Sequence, residues 1–202
     1  MSAPRTAYDA SQLPEVVYGS KSLAFWGTLG FMVIEGTTLI ILASCYVFLW
    51  SNFERWPPAS TALPSLLLPT ASMLFLVASN VPAWRLSKAA RAKDLGATKR
   101  WLVVCTLFAV GWVVFRALEF RTLNTRWDDN AYGSAVWAIA FAHFTLLAVE
   151  LAETLLFTLI FVSGHAEEKH FPDVVDDVVY WFFVTVVWVP CWFLLYVLPR
   201  LI

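Results

Sequence analysis

Apolar residues in this chain fall in long unbroken blocks separated by short polar stretches. Five blocks stand out, at about 23–50, 63–84, 101–118, 134–163 and 178–198. Crossing the hydrocarbon core of a bilayer takes about 20 helical residues, and each block comes close to or exceeds that length. Barrel strands are only about 10 residues long and alternate in polarity. These blocks are continuous, so they predict helices. Short connections make neighbouring helices antiparallel partners in one bundle. The pattern predicts an all-α integral membrane protein, with a polar segment at 1–22 and a five-helix transmembrane domain at 23–202. No internal repeat is visible, which gives an inverted-repeat transporter little support.

The polar stretches set the expected topology. The stretch 85–100 reads as a basic loop with Arg85, Lys88, Arg91, Lys93, Lys99 and Arg100 against one acid, Asp94. Placing that loop in the cytoplasm puts the N-terminus inside and the C-terminus on the periplasmic side. Arg5, Lys21, the six basic loop residues and Lys169 then lie inside, and Arg55, Arg116, Arg121, Arg126 and Arg200 lie outside, which is the favoured asymmetry. The acidic loop at 164–177 weighs little, because acids barely count in this rule. The stretch 119–133 holds Trp127-Asp128-Asp129-Asn130, a turn or cap signal. Pro69 and Pro190 fall inside the second and fifth spans and predict kinks. The first 22 residues, with Arg5, Asp9, Glu15 and Lys21, lack the apolar core of a signal peptide, and the first apolar block is too long for one.

Composition agrees. Of the 202 residues 59% are apolar and 14% charged, too little charge to cover a water-soluble fold of this size. Eleven Trp and sixteen Phe suit interfacial aromatic belts. A net charge of −1 leaves no basic surface for phosphates, so no nucleic-acid partner is expected. Cys45, Cys105 and Cys191 each lie inside an apolar block without a Cys-x-x-Cys pair and read as small core residues.

The few polar groups inside the spans are the candidate chemistry. Glu35, Glu150 and Glu153 lie within spans, and each would cost about 2.5–3.5 kcal/mol if charged at the bilayer centre. They should therefore face the bundle or a partner, some of them protonated. Counting about 1.5 Å per residue, Glu35 and Glu150 lie at a similar depth, roughly 18–20 Å from the inner face, so they meet if their helices pack. His143, Glu150 and Glu153 share one helical face and form a polar stripe on the fourth span. A helix or subunit contact is the leading reading of that stripe, with proton handling second and a metal site third. Arg116 and Glu119, three apart near the outer boundary, read as an intrahelical or intersubunit ion pair. His165 and His170 read as solvated loop residues. No phosphate loop, nucleophile elbow or complete catalytic set occurs, and no residue is assigned to catalysis, to a metal or to a cofactor. His143 is the one histidine inside a span, so two intramembrane histidines cannot hold a haem here.

Several fragments then line up in one order. They are Phe31-Met32-Val33-Ile34-Glu35, Trp56-Pro57-Pro58, Val77-Ala78-Ser79, Lys99-Arg100-Trp101, Glu119-Phe120-Arg121-Thr122-Leu123, Tyr132-Gly133-Ser134, Phe141-Ala142-His143 and Tyr180-Trp181-Phe182-Phe183-Val184-Thr185-Val186-Val187-Trp188. In order and spacing the chain resembles subunit III of the cytochrome c oxidase (haem–copper oxidase) family, in its short five-helix form. The resemblance implies a non-catalytic subunit of a respiratory oxidoreductase complex in a bacterial inner membrane. It implies packing against catalytic subunit I, with subunit II in the same complex, bound phospholipid, and support for proton uptake or oxygen access. Haem and copper would sit in the partner subunits. On this resemblance Glu35, Glu119 and His143 match polar positions of the family. Leu146, Phe182 and Thr185 depart from them, and Glu150 and Glu153 are additions. Those departures keep open a subunit III-like component of a nitric oxide reductase or another respiratory complex. A stand-alone proton-coupled carrier is a third reading.

Overall fold

The computed structural model describes residues 16–201; Arg5, Asp9 and Glu15 of the expected polar segment lie outside them. The described residues form helices and no strand. In chain order the helices are α1 (Leu23–Asn52), α2 (Leu67–Ala78), α3 (Asn80–Arg91), α4 (Leu95–Glu119), α5 (Ala131–Val162) and α6 (His170–Trp192). α2 and α3 continue one another as Leu67–Arg91, giving five helical spans long and apolar enough to cross a membrane.

Side-chain caps open three of the long helices. Ser22 accepts the Ala24 N–H, Asp94 the Ala97 N–H and Asn130 the Gly133 N–H, each pairing a donor the helix itself cannot use. α5 and α6 occupy the middle of the bundle. α5 packs on α1, α4 and α6, and α3 fits between α4 and α6. α1 lies to one side, against α5 and α6. Its buried residues are Leu39 and Tyr46, seven apart, with half-buried Met32, Glu35 and Gly36 on the same face. The rest of α1 is apolar and outward-facing, as a lipid-exposed or partner-facing helix requires.

Three expected boundaries move. The basic stretch 85–100 is mostly helix: α3 runs to Arg91 and α4 starts at Leu95, leaving a turn of 92–94. Pro82, Ala83, Leu86, Ala89 and Ala90 bury one face of α3, while Arg85, Lys88 and Arg91 occupy the other. The charges interrupt the hydropathy but not the helical period. Lys93 takes the left-handed conformation (φ 53°) that ends the helix, with its N–H and that of Asp94 returning to the Ala90 and Ala89 carbonyls. The acidic stretch 164–177 is likewise mostly helix, because α6 begins at His170. Asp176 and Asp177 are therefore buried helix residues, not loop residues.

Pro69 does not kink its helix. It is the third residue of α2, where its missing N–H would be unpaired in any case. The interruption comes instead at Ser79, between α2 and α3. Pro190 does lie inside α6, which widens after it into a π-helical turn, Phe193–Val197. Cys105 and Cys191 are buried, but Cys45 is exposed on α1 and so is not a core residue.

Candidate functional site: two buried polar clusters

The polar residues of the spans gather in two separate clusters. The expected continuous stripe on α5 is broken, because Leu146 and Leu147, both buried, lie between His143 and Glu150.

The first cluster joins α4, α5 and the end of α6. Arg116 and Glu119 sit one turn apart on α4, and Arg116 Nη1 donates to Glu119 Oε1 at 2.8 Å. Both are about 1% exposed, so this is a fully buried intrahelical ion pair. Arg116 Nη2 lies 3.1 Å from His143 Nδ1. A guanidinium accepts no hydrogen bond, so Nδ1 carries the lone pair and Nε2–H donates to the Val184 carbonyl at 3.0 Å. His143 is thus a neutral imidazole with both nitrogens engaged. The Trp188 ring lies against both groups, 3.7 Å from the guanidinium carbon and stacked at 4.3 Å on the imidazole. The π-helical turn brings buried Tyr196 round to donate to Glu119.

The second cluster lies nearer the α5–α6 connection. Glu150 and Thr154 on α5 face Asp177 on α6, and Thr154 Oγ1 donates to Asp177 Oδ2 at 3.3 Å. Glu150, Glu153 and Asp177 each place a carboxylate oxygen within 4.8 Å of the others. Glu150 is wholly buried and Glu153 exposed. Neither Glu150 oxygen has a hydrogen-bond partner, nor does Asp177 Oδ1. Three carboxylates this close in apolar surroundings cannot all stand ionised without a counter-charge, so the group can share protons or hold a cation. Glu35 flanks this cluster from α1. Its own bond runs to α6, where Tyr180 Oη donates to Oε2 at 2.6 Å, so α6, rather than α5 alone, anchors it.

His165 is exposed and bonds Ser163, while His170 accepts the Glu167 N–H at the start of α6. Both serve the turn rather than either cluster. The clusters also recruit Asp177, Tyr180, Trp188 and Tyr196, which were not singled out as site residues. Asp177 lies three residues before Tyr180 and would have come into view had the helical period been carried back past Val178.

The resembling fragments turn out to be neighbours in space. Tyr132 packs edge-on against Trp56, ring centroids 5.2 Å apart, and against Tyr46. A Cβ on Gly133 would run into the Arg126 carbonyl and Thr125 Oγ1, so only glycine lets the preceding loop close over the start of α5. Ser134 Oγ donates to the Trp127 carbonyl at 2.7 Å. At the α2–α3 interruption, Trp181 Nε1 donates to Ser79 Oγ at 3.1 Å and Thr185 Oγ1 to Asn80 Oδ1 at 3.3 Å.

No family model matches the chain. A Synechocystis protein named cytochrome c oxidase subunit 3 is 24% identical over 184 residues, covering 90% of this chain and 78% of its own length. Proteins of Mycobacterium bovis and Mycobacterium tuberculosis, each named probable cytochrome c oxidase subunit 3, are 26% identical over 177 residues, covering 84% of this chain and 86% of theirs. Over most of its length the chain is thus similar, at low identity, to proteins named cytochrome c oxidase subunit 3. Its five helices able to cross a membrane agree with that similarity. Two positions at which the chain departs from the resembling pattern lie at or beside the clusters. Leu146 is buried between them, and Thr185 bonds the α2–α3 interruption.

Proposed function

We propose that this chain is the five-helix accessory subunit of a respiratory haem–copper oxidase, packed against catalytic subunit I and alongside subunit II in a bacterial inner membrane. The observation that carries the reading is where the family-like residues lie. Tyr132, Gly133, Tyr180, Trp181 and Trp188 build contacts between helices rather than an open reaction site. His143 supports a non-catalytic role, because both of its nitrogens are already bonded inside the protein and neither is free for a haem iron. Haem and copper belong to the partner subunits on this reading. Glu119 and His143 hold the bundle together, whereas Glu35, Glu150 and Glu153 are the proton-related groups.

Lipid binding rests on the apolar groove between α1 and α6, about 1240 Å³, lined by Gly36, Leu39, Ile40, Phe183 and Val187 among others. It suits phospholipid acyl chains. The basic ends of α3 and α4 favour a cytoplasmic N-terminus and a periplasmic C-terminus.

Purification of the native complex with its lipids tests the proposal. A haem-bearing catalytic subunit and copper should accompany the chain, and oxidase turnover should decay faster once the chain is removed. Recovery as a lipid-surrounded monomer would overturn it. The departures at Leu146, Phe182 and Thr185 favour a second reading, attachment to a nitric oxide reductase, and the identity of the haem-bearing partner separates the two.

A further inference from the structure

The carboxyl cluster between α5 and α6 has features that helix packing does not explain. Glu150 is buried completely, yet both of its oxygens lack a donor. Its carboxylate points into the group formed with Glu153 and Asp177, whose ligand-capable oxygens lie within 4.8 Å of one another. Asp177 keeps Oδ1 bare while Oδ2 is held by Thr154. Among the described residues the ion pairs are Lys93–Glu168, Arg116–Glu119, Arg126–Asp128 and Lys169–Glu167, and none reaches this group. On α1 the half-buried acid Glu35 is already bonded to Tyr180 and brings no positive charge. Negative charge is thus assembled here, and among the described residues no Lys or Arg forms an ion pair with the group.

We propose that Glu150, Glu153 and Asp177 form a binding site for a divalent hard cation of the Ca²⁺ class, clamping α5 to α6. The donors are all carboxylate oxygens, the ligand type such ions prefer. Two oxygens bound to one Ca²⁺ ion stand at most about 4.6–5.2 Å apart, twice the Ca–O bond length, so three oxygens all within 4.8 Å of one another are close enough to share such an ion. Mg²⁺, which demands near-ideal octahedral geometry and gives up its waters reluctantly, suits an all-carboxylate group less well. A shared proton joins two oxygens at a time, whereas one central cation meets an oxygen of each residue and displaces the protons that the ion-free group carries. Glu153, on the exposed side, leaves coordination positions open to water or to a partner. Asp173 and Asp176, the latter with an unpaired Oδ2, stand within one turn of Asp177 toward the 163–169 connection and mark an acidic approach. This inference does not depend on which complex the chain joins.

The test uses the full chain in detergent, stripped with a chelator and titrated with ⁴⁵Ca²⁺ by equilibrium dialysis. Saturable uptake near one ion per chain is expected, with Kd raised at least about tenfold in Glu150→Gln and in Asp177→Asn, since ligand charge sets affinity. Glu167→Gln and Asp128→Asn, on surface turns, should leave Kd unchanged. Infrared spectra of the unsubstituted chain give a second measurement that needs no variant: the protonated-carboxyl band present after stripping should disappear when Ca²⁺ is added. Absence of saturable uptake, uptake unaffected by Glu150→Gln and Asp177→Asn, or a protonated-carboxyl band indifferent to Ca²⁺ would each overturn the proposal.

Discussion

Removing Arg116 while keeping Glu119 gives the sharpest test of the first cluster. Arg116→Met retains an unbranched chain of similar reach but deletes the 2.8 Å bond to Glu119 and the 3.1 Å bond to His143. It leaves a carboxylate that is 1% exposed, with Tyr196 as its one remaining donor and Oε2 already bare. Breaking one side of a buried ion pair costs about 3–5 kcal/mol. On the scale of domains of this size, that lowers the melting temperature by about 6–20 °C. Removing both charges should cost much less, because Arg116→Met with Glu119→Gln leaves no isolated charge and keeps an acceptor for Tyr196. The double-mutant cycle should therefore show a coupling of about 2–3 kcal/mol. Unfolding by added SDS in mixed micelles, followed by circular dichroism, measures all four proteins. A cost below about 1 kcal/mol for Arg116→Met alone, or additive effects in the cycle, would refute a charged pair holding α4, α5 and α6 together.

Other outcomes follow from single contacts. Gly133→Ala should destabilise by about 1–3 kcal/mol in a thermal melt, because the obstacle is backbone; Gly111→Ala, whose Cβ would meet the movable Phe75 ring, should cost less. Tyr180→Phe strands the Glu35 carboxylate and should cost about 1.5–3 kcal/mol, with adding Glu35→Gln restoring most of it. Trp56→Ala opens the aromatic cluster with Tyr46 and Tyr132 and should cost about 3–5 kcal/mol by the same assay. Lys93 donates to Glu168 at 2.7 Å, and that bond raises the lysine above its ordinary 10.5. The tether between the α3–α4 turn and the α5–α6 connection is therefore complete below that pH and is lost as pH rises through the raised value. Proteolysis of the 163–169 connection should quicken only above about pH 10.5 if this is right.

Much of the architecture was readable from the one-dimensional pattern. Five apolar blocks became five spans, and the first, at Leu23–Asn52, moved least, because it is apolar almost throughout. The second, third and fifth spans shifted where charged residues share a helix with an apolar face. Arg85, Lys88 and Arg91 look like a loop in a running average but decorate one side of α3. Asp176 and Asp177 resemble loop acids until the period of α6 is followed back through Val175 and Val174, both buried. The candidate site was legible as a set of residues and not as a set of partners. Glu35, Glu119, His143, Glu150 and Glu153 all belong to or border the clusters, yet their division depends on helix rotation. That rotation is fixed by distant contacts such as Trp188 on Arg116 and Tyr196 on Glu119, which local spacing does not encode.

The placement of Asp177 opposite Glu150 also bears on how the chain enters a membrane. An α6 carrying Asp173, Asp176 and Asp177 near its start, or an α5 carrying Glu150 and Glu153, pays a heavy insertion penalty if it meets lipid alone. Together the two helices hide Glu150, Asp176 and Asp177 from lipid, and the seven residues of 163–169 that join them are short enough for the pair to leave the insertion machinery as a hairpin. α1 carries a single acid, Glu35, which waits for Tyr180 to arrive with that hairpin. The last helix made therefore completes the shelter of polar residues on the first and on α4, through Tyr180 on Glu35 and Tyr196 on Glu119.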